Sequence, residues 1–147
     1  MPRHPQHELD LQLCFPLYAA SRALTRAYGP LLAASGLTYP QYLTMLALWS
    51  AEEPPTVGQL GARLRLDSGT LTPLLKRLEA VGLVTRTRDI DDERRVVVAL
   101  TEAGDALQDQ MADVPAGVAD LLGIDLAEAQ ALRSLLDDVI EHLDARS

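Results

Sequence analysis

Two sets of side chains in this sequence have the types and spacing to do chemistry. Ser68, Thr70, Thr72, Lys76 and Arg77 alternate with Leu71, Leu74, Leu75, Leu78 and Val81. The apolar residues recur at three- and four-residue steps, so a helix over this stretch buries them and turns hydroxyls and cations outward. Short hydroxyl side chains at a helix N-terminus approach base edges or phosphate oxygens closely, and the unpaired N–H groups there favour phosphate. The second set is one residue, the single cysteine Cys14. It cannot form a disulfide within the chain or build a cysteine-rich zinc site, which leaves core packing or a reacting thiol.

The elements that position the first set are legible around it. Asp67 and Ser68 are good N-cap residues, Pro73 is tolerable within about the first turn, and Gly82 suits a left-handed stop with Leu83 behind it. Upstream, Thr56 and Gln59 have capping-box spacing and open a short helix through Leu64, so only Arg65 and Leu66 precede Asp67. Two short helices joined by a tight turn, the second polar and basic on its free face, have the form of a helix-turn-helix. Past Gly82, residues 83–88 and 95–100 are rich in β-branched side chains and flank the charged run 89–94. They predict a hairpin, a wing whose Arg94 or Arg95 enters a narrow minor groove, with Arg86 and Arg88 on one outward face.

Residues 8–34 carry a helical face of leucines interrupted by Pro16 and by Gly29-Pro30. Two shorter helices or one kinked helix fit. Pro16 favours a first turn, which starts a helix near Phe15 and leaves Cys14 beside its positive end, where an anion is favoured. Thr38-Tyr39-Pro40-Gln41 predicts a helix entry, with Tyr42, Leu43, Met45, Leu46 and Trp49 facing the core until Glu52, Glu53, Pro54 and Pro55 close it. Thr101 to Gly104 caps another helix with Ala103, Leu107, Met111 and Val114 as its apolar set, disturbed by Pro115 and Gly117. A last helix begins at Asp125 with Glu128 completing a capping box, and its stripe of Leu132, Leu135, Leu136, Val139, Ile140 and Leu143 is too apolar to lie in water.

The fold expected is mainly α with a small β-hairpin: a winged helix-turn-helix over 38–100, with helical dimerisation regions over 8–34 and 101–147, in a single domain of residues 1–147. A winged helix of this size does not need so much extra helix, and a recognition helix usually works in pairs on a two-fold site. The expected partners are a second copy of the chain and double-stranded operator DNA.

The net charge of −8 opposes a general nucleic-acid coat. Its distribution restores the DNA reading: residues 56–100 sum to +2 and the remainder to −10, and residues 101–147 hold eleven acids against two arginines. The acidic helices are expected to face away from DNA. No apolar run approaches the roughly 18 to 20 residues that span a bilayer, and the N-terminus has no apolar signal region, so a cytoplasmic protein off the membrane is expected. His4, His7 and His142 are too scattered for a metal site. Asp89, Asp91, Asp92 and Glu93 lack the glycine and terminal glutamate of an EF-hand, so they read as a solvated wing tip. No metal, cofactor or catalytic constellation is expected.

With these residues in view, the chain resembles the MarR family of winged helix-turn-helix regulators over most of its length. The segments that carry the likeness are Leu66 to Glu79 and the wing, Asp92-Glu93-Arg94-Arg95 through Thr101-Glu102-Ala103-Gly104. The resemblance assigns Asp92 and Arg94 to the wing motif. Within that family, Leu13-Cys14-Phe15-Pro16-Leu17-Tyr18, followed by Tyr28 and Tyr39, is similar to the organic hydroperoxide resistance regulators (OhrR). The resemblance implies a repressor whose cysteine is oxidised by organic hydroperoxides, releasing operator DNA, and whose two tyrosines, supplied by the partner subunit, hydrogen-bond the reduced thiol. Cys14, Tyr28 and Tyr39 occupy those positions, and Tyr18, one turn after Cys14, is a third candidate. Lacking a second cysteine, the chain resembles the one-cysteine group, in which a sulfenic acid is capped by a small thiol or oxidised further.

Two other readings compete. A MarR-type repressor can answer a small aromatic or phenolic ligand, with Cys14 incidental. A thiol peroxidase would use Cys14 as a nucleophile, but the chain has neither a resolving cysteine nor the Pro-x-x-x-Thr/Ser-x-x-Cys pattern of peroxiredoxins.

Overall fold

The computed structural model describes Met1 and residues 3–147. It divides into two compact units, residues 1–114 and 115–147. Among the described residues there are seven α-helices and one two-stranded antiparallel sheet.

The first unit opens with two short 3-10 turns, Pro5–His7 and Leu9–Leu11, and then α1, Cys14–Leu32. Neither of the expected interruptions breaks α1. Pro16 falls in its first turn, where a missing N–H costs nothing, and Pro30 lies so close to the C-terminal end that the helix continues two residues past it. The helix then tightens into a 3-10 turn, Ala33–Ser35, stopped by Gly36 in the left-handed conformation. Helix α2, Tyr39–Trp49, has a full capping box: the Gln41 N–H donates to Thr38 Oγ1, and the Thr38 N–H donates to the Gln41 side chain. Tyr42, Thr44, Met45, Ala47 and Leu48 are its buried residues. Leu43 and Leu46, expected toward the core, are instead exposed at 36% and 38%. The reason is that α2 packs against α1, α3, α4 and α5, so its buried surface follows several neighbours rather than one stripe.

Helix α3, Val57–Leu64, repeats the capping box with Thr56 and Gln59. It ends at Arg65, whose φ of 56° is left-handed and turns the chain sharply toward Asp67. Helix α4, Ser68–Ala80, is capped by Asp67, whose carboxylate accepts from the Thr70 N–H at 2.7 Å. Its leucines 71, 74, 75 and 78 are buried, whereas Val81 is 67% exposed because it is the C-cap and lies beyond the last packed turn. Pro73 stands in the second turn rather than the first; it offers no N–H to the carbonyl of Gly69, yet α4 runs through.

Gly82, at φ 79°, ends α4 and opens strand β1, Val84–Arg88. It pairs with β2, Val96–Leu100, in a register that sets Arg86 opposite Val98 and Arg88 opposite Val96. The sheet base is joined by residues that had no strand signal: Val98 N–H donates to the Pro55 carbonyl and Thr56 bridges Val97. Helix α5, Glu102–Gln110, is capped by Thr101, whose hydroxyl also donates to the Gly82 carbonyl. Trp49 Nε1 donates to the Gly104 carbonyl at 3.0 Å, tying α2 to α5.

Helix α6, Val114–Leu122, starts at the last residue of the first unit. Pro115 therefore opens a helix rather than ending one. In the second unit α7, Leu126–Asp144, has the expected capping box of Asp125 and Glu128. Leu132, Leu135, Val139 and Leu143 on it are 43% to 64% exposed.

Candidate DNA interface and thiol site

The basic face is assembled by α4 and the wing. At the N-terminus of α4, Ser68 and Thr70 are exposed and Thr72 is half-buried, and Lys76 follows one turn later, also exposed. The hydroxyls sit where unpaired helix N–H groups concentrate positive potential. Arg77 is on the same helix but belongs to a different setting: it lines a cavity of about 490 Å³ with Ser35, Gly36, Leu37, Gln41 and Leu83.

Each of the four hairpin arginines has an intramolecular partner. Arg94, whose side chain is 92% exposed, donates from Nε to Asp92 Oδ1 at 3.1 Å and from Nη2 to Asp92 Oδ2 at 3.4 Å. The Arg94 N–H also donates to Asp92 Oδ1. These bonds, side chain first and backbone second, hold the Asp92 carboxyl below the usual carboxylate range. Arg94 is thereby aimed from the tip by its neighbour two residues back. Arg88 donates to the Glu93 carbonyl at 2.9 Å, and Arg95 pairs with Asp89 at 3.7 Å.

Arg86 departs from expectation. It does share a strand face with Arg88, but that face also carries buried Val84 and lies opposite Val98, so at Arg86 it points inward. The guanidinium turns onto Glu79 of α4, with Nη2 to Oε1 at 3.1 Å and a side-chain exposure of 22%. Glu79 Oε2 accepts from the Arg86 backbone N–H, also at 3.1 Å. Sequence reading passed over Glu79 because seven residues and a helix-to-strand turn separate it from Arg86, and no short-range spacing rule pairs them.

The thiol site is divided along one helix. Cys14 is the first residue of α1 and is exposed, as are Leu13, Phe15 and Leu17 around it. Tyr18 is exposed too, with the Arg22 guanidinium 5.5 Å from its ring centroid. At the other end of α1, Tyr28 stacks on Tyr39 of α2 with ring centroids 4.1 Å apart and planes 19° from parallel. Tyr42 closes the cluster at 5.8 Å from Tyr28 and itself meets the Trp49 edge. Burial, with the neighbouring Tyr39 as the next cause, pushes the Tyr28 hydroxyl up to about 12, so it is a firm hydrogen-bond donor at neutral pH. Burial raises Tyr42 as well. Fourteen residues of continuous helix, about 21 Å of rise, separate Cys14 from Tyr28. Within one chain the thiol and the tyrosine pair stay apart.

Among the described residues no three His, Cys, Asp or Glu side chains converge as a metal site would, and no helix is long and apolar enough to cross a membrane.

A capped helix-turn-helix with a basic free face, followed by an arginine-bearing hairpin, defines the winged helix-turn-helix class of DNA-binding regulators. The comparisons place the chain within that class. The family model of transcriptional regulator SarA/Rot matches residues 26–111. The chain is 45% identical to the organic hydroperoxide resistance transcriptional regulator of Bacillus subtilis, over 95% of each chain. It is 50% identical over 145 residues to the HTH-type transcriptional regulator TtmR of Methylorubrum extorquens, covering 99% of this chain and 74% of that one. Among solved structures it is similar to reduced AbfR bound to DNA, with a TM-score of 0.78 and 36% identity over 94% of this chain and 96% of that one; AbfR is from Staphylococcus epidermidis. This chain belongs to the SarA/Rot family of MarR-like winged helix-turn-helix transcriptional regulators. It is a DNA-binding regulator of transcription and not an enzyme.

Proposed function

We propose that the protein is a homodimeric repressor that senses organic hydroperoxides through Cys14 and releases operator DNA when that thiol is oxidised. The carrying observation is the divided thiol site: an exposed cysteine at one end of α1, and a stacked pair of tyrosine donors at the other. Two copies with antiparallel α1 helices would bring each thiol to the other chain's Tyr28 and Tyr39, which no rearrangement within one rigid helix achieves. The 45% identity to the Bacillus subtilis organic hydroperoxide regulator supports the choice of signal. AbfR, solved both reduced and overoxidised on DNA, supports a redox-active cysteine in this family.

The chemistry uses the residues on the page. The Cys14 thiolate attacks the terminal oxygen of an organic hydroperoxide, the O–O bond breaks, the alkoxide leaves and takes a proton from water to become the alcohol, and the sulfur becomes a sulfenic acid. Leu13, Phe15 and Leu17 supply an apolar approach for the organic group. A small thiol would then cap the sulfenic acid, since the chain has no second cysteine. Loss of the tyrosine contacts shifts α1 and α2, and with them the spacing of the two α4 helices on half-sites one helical turn apart. On the DNA, Ser68, Thr70, Thr72 and Lys76 would face the major groove and Arg94 the minor groove, with Arg88 and Arg95 near the phosphates. Residues 38–100 would carry DNA contact and the flanking helices the dimer, in a cytoplasmic protein.

The deciding experiment is operator binding by fluorescence anisotropy with cumene hydroperoxide added, wild type beside Cys14→Ser. Wild type is expected to release DNA and the serine variant to hold it. Equal release by both would remove Cys14 as the sensor, and release by a phenolic acid alone would favour a small-ligand signal.

A further inference from the structure

We propose that Glu79 is a positioning residue for DNA binding: by gripping Arg86 it holds the wing at the pitch that lets Arg94 enter the minor groove while α4 occupies the major groove. The inference rests on the groove assignment above. Its basis is that a two-stranded hairpin is marginal alone and pivots on whatever anchors its base. Here the base is held from several sides. Gly82 makes the left-handed turn out of α4, Thr101 donates to the Gly82 carbonyl, and Pro55 accepts from Val98. Those bonds fix where β1 begins. Glu79 ties the last full turn of α4 to the middle of β1, and it does so with both oxygens, one on the Arg86 backbone and one on its guanidinium.

The contact is poorly explained as a stabiliser alone. Arg86 Nε is buried with no hydrogen-bond partner, and partly burying a guanidinium against the apolar Val84 and Val98 side costs desolvation that a leucine at the same place would avoid. A two-point grip with a fixed geometry does supply what a leucine cannot, a defined angle between helix and strand. Glu79 also carries the wrong charge for a residue beside DNA. Arg86, in turn, is held away from phosphate by the same contact.

That charge makes the idea testable by the sign of the effect. If Glu79 acted only through its charge, removing it would lessen repulsion from phosphate and tighten binding. If it positions the wing, removing it loosens binding despite the gain in positive charge. The probe is a duplex selected by the wild-type full-length protein from a random-sequence library, read by anisotropy against active protein titrated stoichiometrically. Glu79→Gln is expected to bind about tenfold more weakly, and the loss to be absent in an Arg94→Ala background, because coupled residues are non-additive. Hydroxyl-radical footprints should lose minor-groove protection under the wing while major-groove methylation protection under α4 persists. Glu79→Asp, which keeps the charge and shortens the reach, should show the same weakening; it decides the matter alone if the glutamine variant does not fold. Unchanged or tighter binding, or a loss that adds fully to that of Arg94→Ala, overturns the positioning role. No effect of Arg94→Ala itself would instead overturn the groove assignment on which the inference stands.

Discussion

Arg94 is nearly fully exposed yet held by its neighbour: Asp92 grips it through both a side-chain and a backbone bond, so in the proposed interface less rotamer freedom would be lost on entering a groove. Replacing Arg94 with alanine should weaken operator binding and reduce the slope of log K against log salt by about one unit, since one phosphate-neutralising cation is lost. Anisotropy at several salt concentrations measures both; an unchanged slope with unchanged affinity would take Arg94 out of the interface. Tyr28 is prepared in a comparable way. Burial keeps its hydroxyl protonated far above physiological pH, so it can donate a hydrogen bond to a thiolate under any condition a cell would meet.

At the scale of elements, the junction of α4, β1 and α5 concentrates the constraint. A β-carbon at Gly104 would collide with the Leu83 carbonyl, which is backbone and cannot move aside without disturbing the base of the hairpin. Gly104→Ala should therefore destabilise the fold by about 2 to 4 kcal/mol, measured by urea denaturation. The Glu79–Arg86 contact adds a pH dependence. Its hydrogen bonds, guanidinium first, hold the Glu79 carboxyl below the ordinary range in the folded state. A depressed folded value means that the contact stabilises above the unfolded carboxyl's ordinary range and that the gain is lost as pH falls through the folded value. The stability difference between wild type and Glu79→Gln should thus be present at neutral pH and vanish on acidification below the ordinary carboxylate range. Parallel denaturation curves across pH check it, and a gap that persisted in acid would assign the contact's effect to shape rather than charge.

For the whole molecule, the exposed apolar residues of α7 and the acidic balance of the C-terminal segment point the same way. Leu132, Leu135, Val139 and Leu143 are 43% to 64% exposed along one helix, an apolar stripe of the kind that protein interfaces cover, and the same segment is acidic. A charge placed there, Val139→Glu, should shift the protein from dimer to monomer in sedimentation velocity and abolish tight operator binding, because one recognition helix cannot span two half-sites. A Val139→Glu protein that stayed dimeric would move the interface elsewhere.

Local pattern was enough to determine the helix-turn-helix, its caps and the hairpin, because each depends on neighbours within a few residues, whereas the candidate thiol site, spread over Cys14, Tyr28 and Tyr39, came from the family resemblance. The Thr56 and Asp125 capping boxes, the helix entry at Thr38 and the Gly82 stop stand where the sequence put them. Tertiary packing decided the rest. Leu43 and Leu46 carry the same apolar signal as Met45, and only the arrangement of helices around α2 buries one and exposes the others. Arg86 and Arg88 have equivalent sequence signals and share a strand face; which of them turns inward depends on how far along β1 that face packs against α4, a contact between residues on opposite sides of a turn. Such long-range pairings leave no periodicity to read, and the direction of Arg86 toward Glu79 exists only once the chain has folded.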